Sequence, residues 1–162
     1  MTDRSPLTVG VMSLHNSMES KAICNAVEAL DHDPAWLRRE NTVVDIADGR
    51  PTLEPAADVV VNRLLLSKSE DPAEELGLAT TVAALRPTLN QPHNTLIAMH
   101  KVAAAVTLAQ SDVPVPDAYM ALSSERLTRR LAEGGETAVY KTAIGTHGGG
   151  TWKVGPTDQV NA

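Results

Sequence analysis

Short apolar runs of strand length alternate along this chain with segments of helical spacing, and that alternation points to an open α/β sheet. Leu7–Leu14 is the first run, and His15-Asn16-Ser17 breaks it. In Ser20–Leu30, residues Ala22, Ile23, Ala26, Val27 and Leu30 recur at three- and four-residue steps, the spacing of a helix. Trp36-Leu37 opens a second strand. Thr42–Ile46 and Pro51–Leu53 flank Ala47-Asp48-Gly49-Arg50, which reads as a hairpin turn. Asp58–Arg63 contains Val59-Val60-Val61, a buried parallel-strand signature. Pro72 suits the first turn of a helix, with Glu74 and Glu75 near its positive end. That helix ends near Arg86-Pro87, and Thr88-Leu89-Asn90 is a short strand.

Composition narrows the class. With no Phe, two Trp and two Tyr in 162 residues, the core must come from Val, Leu, Ile and Ala. A net charge of −6 argues against a general nucleic-acid binder, which carries a basic patch. Cys24 is the only cysteine, so no intrachain disulfide forms, and its helical apolar setting predicts a buried structural thiol. No apolar run approaches the length of a membrane span. Met1-Thr2-Asp3-Arg4-Ser5-Pro6 lacks the apolar stretch of a signal peptide, so the expectation is a cytoplasmic protein without a membrane partner.

The second part of the chain starts with a different pattern. Asn94 is placed to cap a helix in which Met99, Val102, Val106 and Ala109 form one apolar stripe. Lys101 lies on the other side of that helix, free to face ligand or solvent. Val113-Pro114-Val115-Pro116 forces an extended link, and Ala118–Leu122 reads as a strand. Ser123 caps a helix over Ser124–Ala132, which Gly134-Gly135 ends. Thr137–Thr142 is a strand bearing Lys141.

After Lys141 comes Thr142-Ala143-Ile144-Gly145-Thr146-His147-Gly148-Gly149-Gly150, then the strand-like Thr151-Trp152-Lys153-Val154. Glycine lets backbone N–H groups approach an anion closely, and a nearby lysine supplies positive charge. Two common phosphate motifs fail here. Gly145 and Gly150 have the spacing of a Walker loop, but Thr151 stands where lysine is required. Gly148 and Gly150 begin a dinucleotide fingerprint, but Lys153 occupies the third glycine position and no helix follows. What remains is a β-hairpin-like glycine flap that folds over phosphates, or a plain flexible hairpin.

Asn90-Gln91-Pro92, the helix carrying His100-Lys101, Asp112-Val113-Pro114-Val115-Pro116, the Lys141 strand and the glycine flap occur in this order. The order resembles the ATP-grasp superfamily, and most closely its RimK-type and glutathione-synthetase-like branch. Two departures are visible: His100 replaces the usual acidic residue before the lysine, and Ser111-Asp112 stands where the family often has glycine. The resemblance implies an open, mostly parallel α/β domain over 1–92. The first, incomplete α+β part of an ATP-grasp domain would follow over 93–162. It implies a ligase that joins an amino-acid or peptide carboxylate to an amine, using ATP and Mg2+ through an acylphosphate. Lys101 would contact the phosphates, and Lys141 phosphate and the adenine edge. Gly145, Thr146, His147, Gly148, Gly149 and Gly150 would form the flap. His15, Asn16 and Ser17, beyond the first strand, and Asn62 and Arg63, beyond another, are substrate-side candidates.

No catalytic residue and no metal ligand is assigned within the chain. The family's magnesium set lies past the flap, so the sequence reads as a truncated form, inactive alone. It would pair with a completing chain or with itself. The rival expectation is a non-catalytic α/β module that binds a ligand or assembles with a partner.

Overall fold

The computed structural model describes residues 5–145 and 150–160, which divide into two units, Met1–Leu96 and Ile97–Ala162. In the first, four strands form a parallel sheet: β1 (Thr8–Met12), β2 (Asp33–Leu37), β5 (Val59–Asn62) and β6 (Thr88–Leu89), in the order β2-β1-β5-β6. Met12 pairs with Leu37 on one side and Asn62 on the other. Val11, Met12, Leu37 and Val60 are at most 1% exposed. Each such side chain contributes roughly 1.5–3 kcal/mol relative to exposure. The continuous burial of β1, rather than an alternation, reflects a strand covered on both faces.

Gly10 makes that packing possible. A Cβ there would lie 2.5 Å from Leu37 Cδ1 and 3.0 Å from Ala57 Cβ. β2 ends at Trp36-Leu37 instead of beginning there, because its ladder starts earlier, at Asp33 N–H to Leu7 O (3.0 Å). Pro34 is tolerated within it because β2 is an edge strand.

α1 (Met18–Ala29) starts at Ser17, whose Oγ accepts from Ser20 N–H. Of the expected stripe only Val27 is fully buried, while Leu30 is 70% exposed and Cys24 is half-buried rather than enclosed. β3 (Val43–Ala47) and β4 (Arg50–Glu54) form the anticipated hairpin. Its turn residues Asp48 (φ 51°) and Gly49 (φ 73°) give the doubly left-handed geometry that matches strand twist. α2 (Pro72–Leu85) has Pro72 in its first turn, and the Asp71 side chain accepts from Glu74 N–H. It buries Glu75, Ala79 and Val82, one i, i+4, i+7 face. α3 (Pro92–Met99) spans the junction between the units, and Asn94 lies inside it instead of capping it.

In the second unit the helix expected to run on through Ala109 is broken. α4 (Lys101–Ala109) is a separate helix, started by His100. The His100 Nδ1 accepts from Ala103 N–H (3.2 Å), and its backbone pairs with Ile144. A residue that makes a β-bridge cannot also continue a helix. No residue of α4 is fully buried. Residues 113–121 belong to no helix or strand, so the strand expected at Ala118–Leu122 is absent. Pro114 and Pro116 offer no N–H just before it, and Leu122 is 92% exposed. α5 (Ser124–Gly134) is capped by Ser123 and ended by Gly135 at φ 66°. β7 (Ala138–Lys141) and β8 (Thr151–Val154) pair antiparallel, with Tyr140 against Trp152. Among the described residues only Leu131 and Val160 are buried hydrophobics in this unit.

Two measurements check this packing. Gly10→Val should lower stability by about 1–3 kcal/mol, read as a lower urea midpoint at unchanged slope, because the added atoms meet Leu37 and Ala57. Burial, with a smaller contribution from Glu28, pushes the Cys24 thiol up. Since thiolate is the reacting form, iodoacetamide should alkylate Cys24 more slowly in the folded chain than in urea, and the rate should rise at higher pH.

Candidate functional site

In the second unit, two lysines bracket the stem of the glycine hairpin. Lys101 is the first residue of α4, and its backbone N–H donates to Ala143 O (2.9 Å). Its ammonium donates to Thr142 O (2.9 Å) and Gly145 O (3.3 Å). Thus the cation expected to be free is held against loop carbonyls, with one of its three N–H donors left. The positive end of α4 adds to the same place. Thr142 N–H donates to Gly150 O (2.9 Å), which closes the stem of the loop. Gly150 has φ 66°, and a Cβ there would meet Thr142 Oγ1 at 2.5 Å. Only glycine satisfies both conditions. Thr146, His147, Gly148 and Gly149 lie outside the described residues.

Lys141 ends β7 exposed, and its side chain makes no hydrogen bond or ion pair among the described residues. In antiparallel register Lys141 opposes Thr151, and Val139 opposes Lys153. The pleat therefore sets Lys141 and Lys153 on one face of the hairpin and Tyr140 with Trp152 on the other. Lys153 escaped the sequence reading as a cation of this site. The strand period, counted across the hairpin, is the signal that finds it.

In the first unit the remaining candidates gather at the carboxyl ends of β1 and β5. These neighbouring strands lead to opposite sides of the sheet, β1 to β2 and β5 to β6, so their ends frame a topological switch point. His15 and Asn16 follow β1, and Ser17 caps α1. Asn62 is 2% exposed, and its amide is engaged on both ends. Nδ2 donates to Asn90 O (3.1 Å) and Thr95 Oγ1 (3.4 Å), and Oδ1 accepts from Leu64 N–H (3.0 Å). It anchors the Asn90-Gln91-Pro92 turn. Arg63 is exposed. Its guanidinium helps to hold the Glu19 carboxyl below its usual range, after the stronger effects of the Glu19 backbone N–H and the Ser17 hydroxyl. Glu75, in the first turn of α2 as expected, is buried beside His15, with Nε2 to Oε2 at 3.7 Å. An acid on the apolar face of α2 is the trace of this in the sequence.

Among the described residues no group of three His, Cys, Asp or Glu could hold a metal ion, and no helix is long and apolar enough to cross a membrane.

No family model and no curated protein matches this chain. Solved structures do. The RimK domain ATP-grasp protein of Sphaerobacter thermophilus superposes with a TM-score of 0.67 at 18% identity, over 91% of this chain and 53% of its own. The ATP-grasp ligase PsnB, complexed with its minimal precursor, gives 0.62 at 16% identity, over 96% and 59%. D-alanyl-alanine synthetase A of Vibrio cholerae gives 0.56 at 16% identity, over 96% and 54%. The chain thus spans a little over half the length of these proteins. Its four-stranded parallel sheet and antiparallel strand pairs reproduce that part of them, and the fold is that of the N-terminal portion of the ATP-grasp enzymes.

Proposed function

We propose that this chain is the N-terminal part of an ATP-dependent carboxylate–amine ligase of RimK-like type, acting in the cytoplasm through an acylphosphate. The observation that carries the reading is the pinning of Lys101 to the stem of a glycine hairpin that bears Lys141, whose side chain has no polar partner among the described residues. The fold shared with ATP-grasp ligases supports it. ATP would supply the phosphoryl group that turns a carboxylate oxygen into a leaving group. Lys141 and Lys153 would hold the charge of the phosphates from the hairpin side. Lys101 would hold it with its remaining donor, and Gly145, Thr146, His147, Gly148, Gly149 and Gly150 would cover it. In the first unit, His15, Asn16, Ser17 and Arg63 would face the amino-acid or peptide substrate, and Asn62 would hold the turn behind them.

On this reading the magnesium ligands would lie in a completing part, without which the chain would bind ATP but not turn it over. PsnB has been solved with Mg and ADP, and with its precursor peptide and AMPPNP. By that likeness the carboxylate or amine partner here is peptide- or amino-acid-like.

Calorimetric titration with a non-hydrolysable ATP analogue and magnesium tests the assignment. The wild-type chain should bind weakly. Lys141→Ala should lose roughly tenfold or more, as removal of a charged hydrogen bond does. Lys101→Ala should lose affinity and also speed hydrogen exchange at Thr142, whose carbonyl the lysine holds. A folded wild-type chain that gives no heat, or affinity unchanged in Lys141→Ala, would sink the nucleotide site and leave a non-catalytic binding or assembly module.

A further inference from the structure

Glu75 occupies a setting that the fold alone does not justify. It stands on the core-facing stripe of α2 with a side chain 3% exposed. Both carboxylate oxygens are enclosed, and neither has a hydrogen-bond partner among the described residues. A buried carboxylate without donors costs several kcal/mol, and such a group calls for an explanation. The partner the structure gives it is His15. Its Nε2 lies 3.7 Å from Glu75 Oε2, and that nitrogen is itself enclosed and unbonded. A small approach would make this a charge-assisted bond, whose usual length is about 2.7–2.9 Å. A third of the His15 side chain (33%) remains exposed, and Nε2 is not part of that exposed surface. The Ser13 hydroxyl donates to the His15 carbonyl (2.6 Å) and fixes the turn that carries the ring.

Position gives this pair a use. His15 follows β1, and Glu75 lies on the helix that follows β5, so they meet at the switch point of the parallel sheet, where α/β proteins bind ligands. We propose that Glu75 and His15 form a carboxylate–imidazole dyad that takes the proton from an ammonium-bearing acceptor. The identity of that proton donor rests on the ligase reading, whereas the dyad does not. An ammonium has no lone pair, so it must lose a proton before its nitrogen can attack an activated carboxyl carbon. In the proposed dyad the imidazole N–H sits on Nε2, facing Glu75, and Nδ1 supplies the lone pair. One N–H bond of R–NH3+ breaks and one Nδ1–H bond forms, giving R–NH2 and an imidazolium. The Glu75 carboxylate offsets the charge that arrives on the ring. His15 touches the substrate, and Glu75 is a positioning residue.

Nitrogen-15 spectra of the imidazoles test this on the whole chain, with His15→Gln assigning the resonance. In the wild type, neutral His15 should be held as the Nε2–H tautomer, and Glu75→Leu should return it to a mixture. Methylammonium should shift the His15 signals saturably in the wild type. Tetramethylammonium, which has no N–H, should not, and Glu75→Leu should abolish the methylammonium response. If Glu75→Leu does not fold, Glu75→Gln serves: it retains an acceptor, so the tautomer should persist while the amine response is lost. A His15 tautomer indifferent to Glu75→Leu overturns the dyad. Equal responses to both amines, or none, overturn the proton-accepting role. Neither result bears on nucleotide binding at Lys141, so failure of the dyad and failure of the ligase reading are told apart by the titration with the ATP analogue.

Discussion

The three carbonyl groups of Thr142, Ala143 and Gly145 all accept from one residue, Lys101. The organisation of the second unit depends on that stitching. With only Leu131 and Val160 buried among its described hydrophobics, this unit has little apolar contact to order a loop. Hydrogen bonds to a cation, each stronger than a neutral one, take over that task. The His100–Ile144 bridge and the Thr142–Gly150 bond complete the frame. The first half of the glycine hairpin is thereby positioned by the protein itself, and positive charge is stored at its root.

The first unit relies on a different constraint, close approach. Gly10 removes a side chain from the middle of β1 and lets Leu37 and Val60 close over it. The tight β2-β1-β5 arrangement then brings the loops after β1 and β5 side by side. His15 and Glu75 meet as a consequence of topology, since they are far apart in sequence and belong to different connections. Asn62 performs the matching task below them, tying β5 to the turn at Asn90. The result is a buried apolar floor with polar groups concentrated at one end of the sheet.

Much of this was legible in the sequence wherever local chemistry decides the outcome. The Asp48-Gly49 turn, the Ser17 and Ser123 caps, Pro72 in a first helical turn and Gly135 past a helix end each follow from one or two residues. The misplaced elements are those that a distant partner decides. His100 interrupts a helix because Ile144 pairs with it. Ala118–Leu122 has strand composition but pairs with no strand among the described residues. In the site, the type and order of the lysines and glycines could be read, but the commitment of the Lys101 ammonium to carbonyls could not. The pairing of Glu75 with His15 was equally hidden, since no local pattern joins positions sixty residues apart. The burial of Glu75 left a fainter trace, an acid in step with Ala79 and Val82 on an apolar helix face.

Both margins of the parallel sheet are blunt. On one side Pro34 withholds a donor from β2, and on the other β6 is only two residues long. Neither margin offers a long run of open backbone for an intruding chain, so this sheet resists growth into a fibril-like stack. The β7–β8 hairpin has no such guard: each strand pairs on one side only, and Val139 and Trp152 stay more than half exposed. Any recruitment of a further strand, whether from a folding partner or in aggregation, is thereby steered away from the sheet that carries His15 and toward the hairpin that carries Lys141.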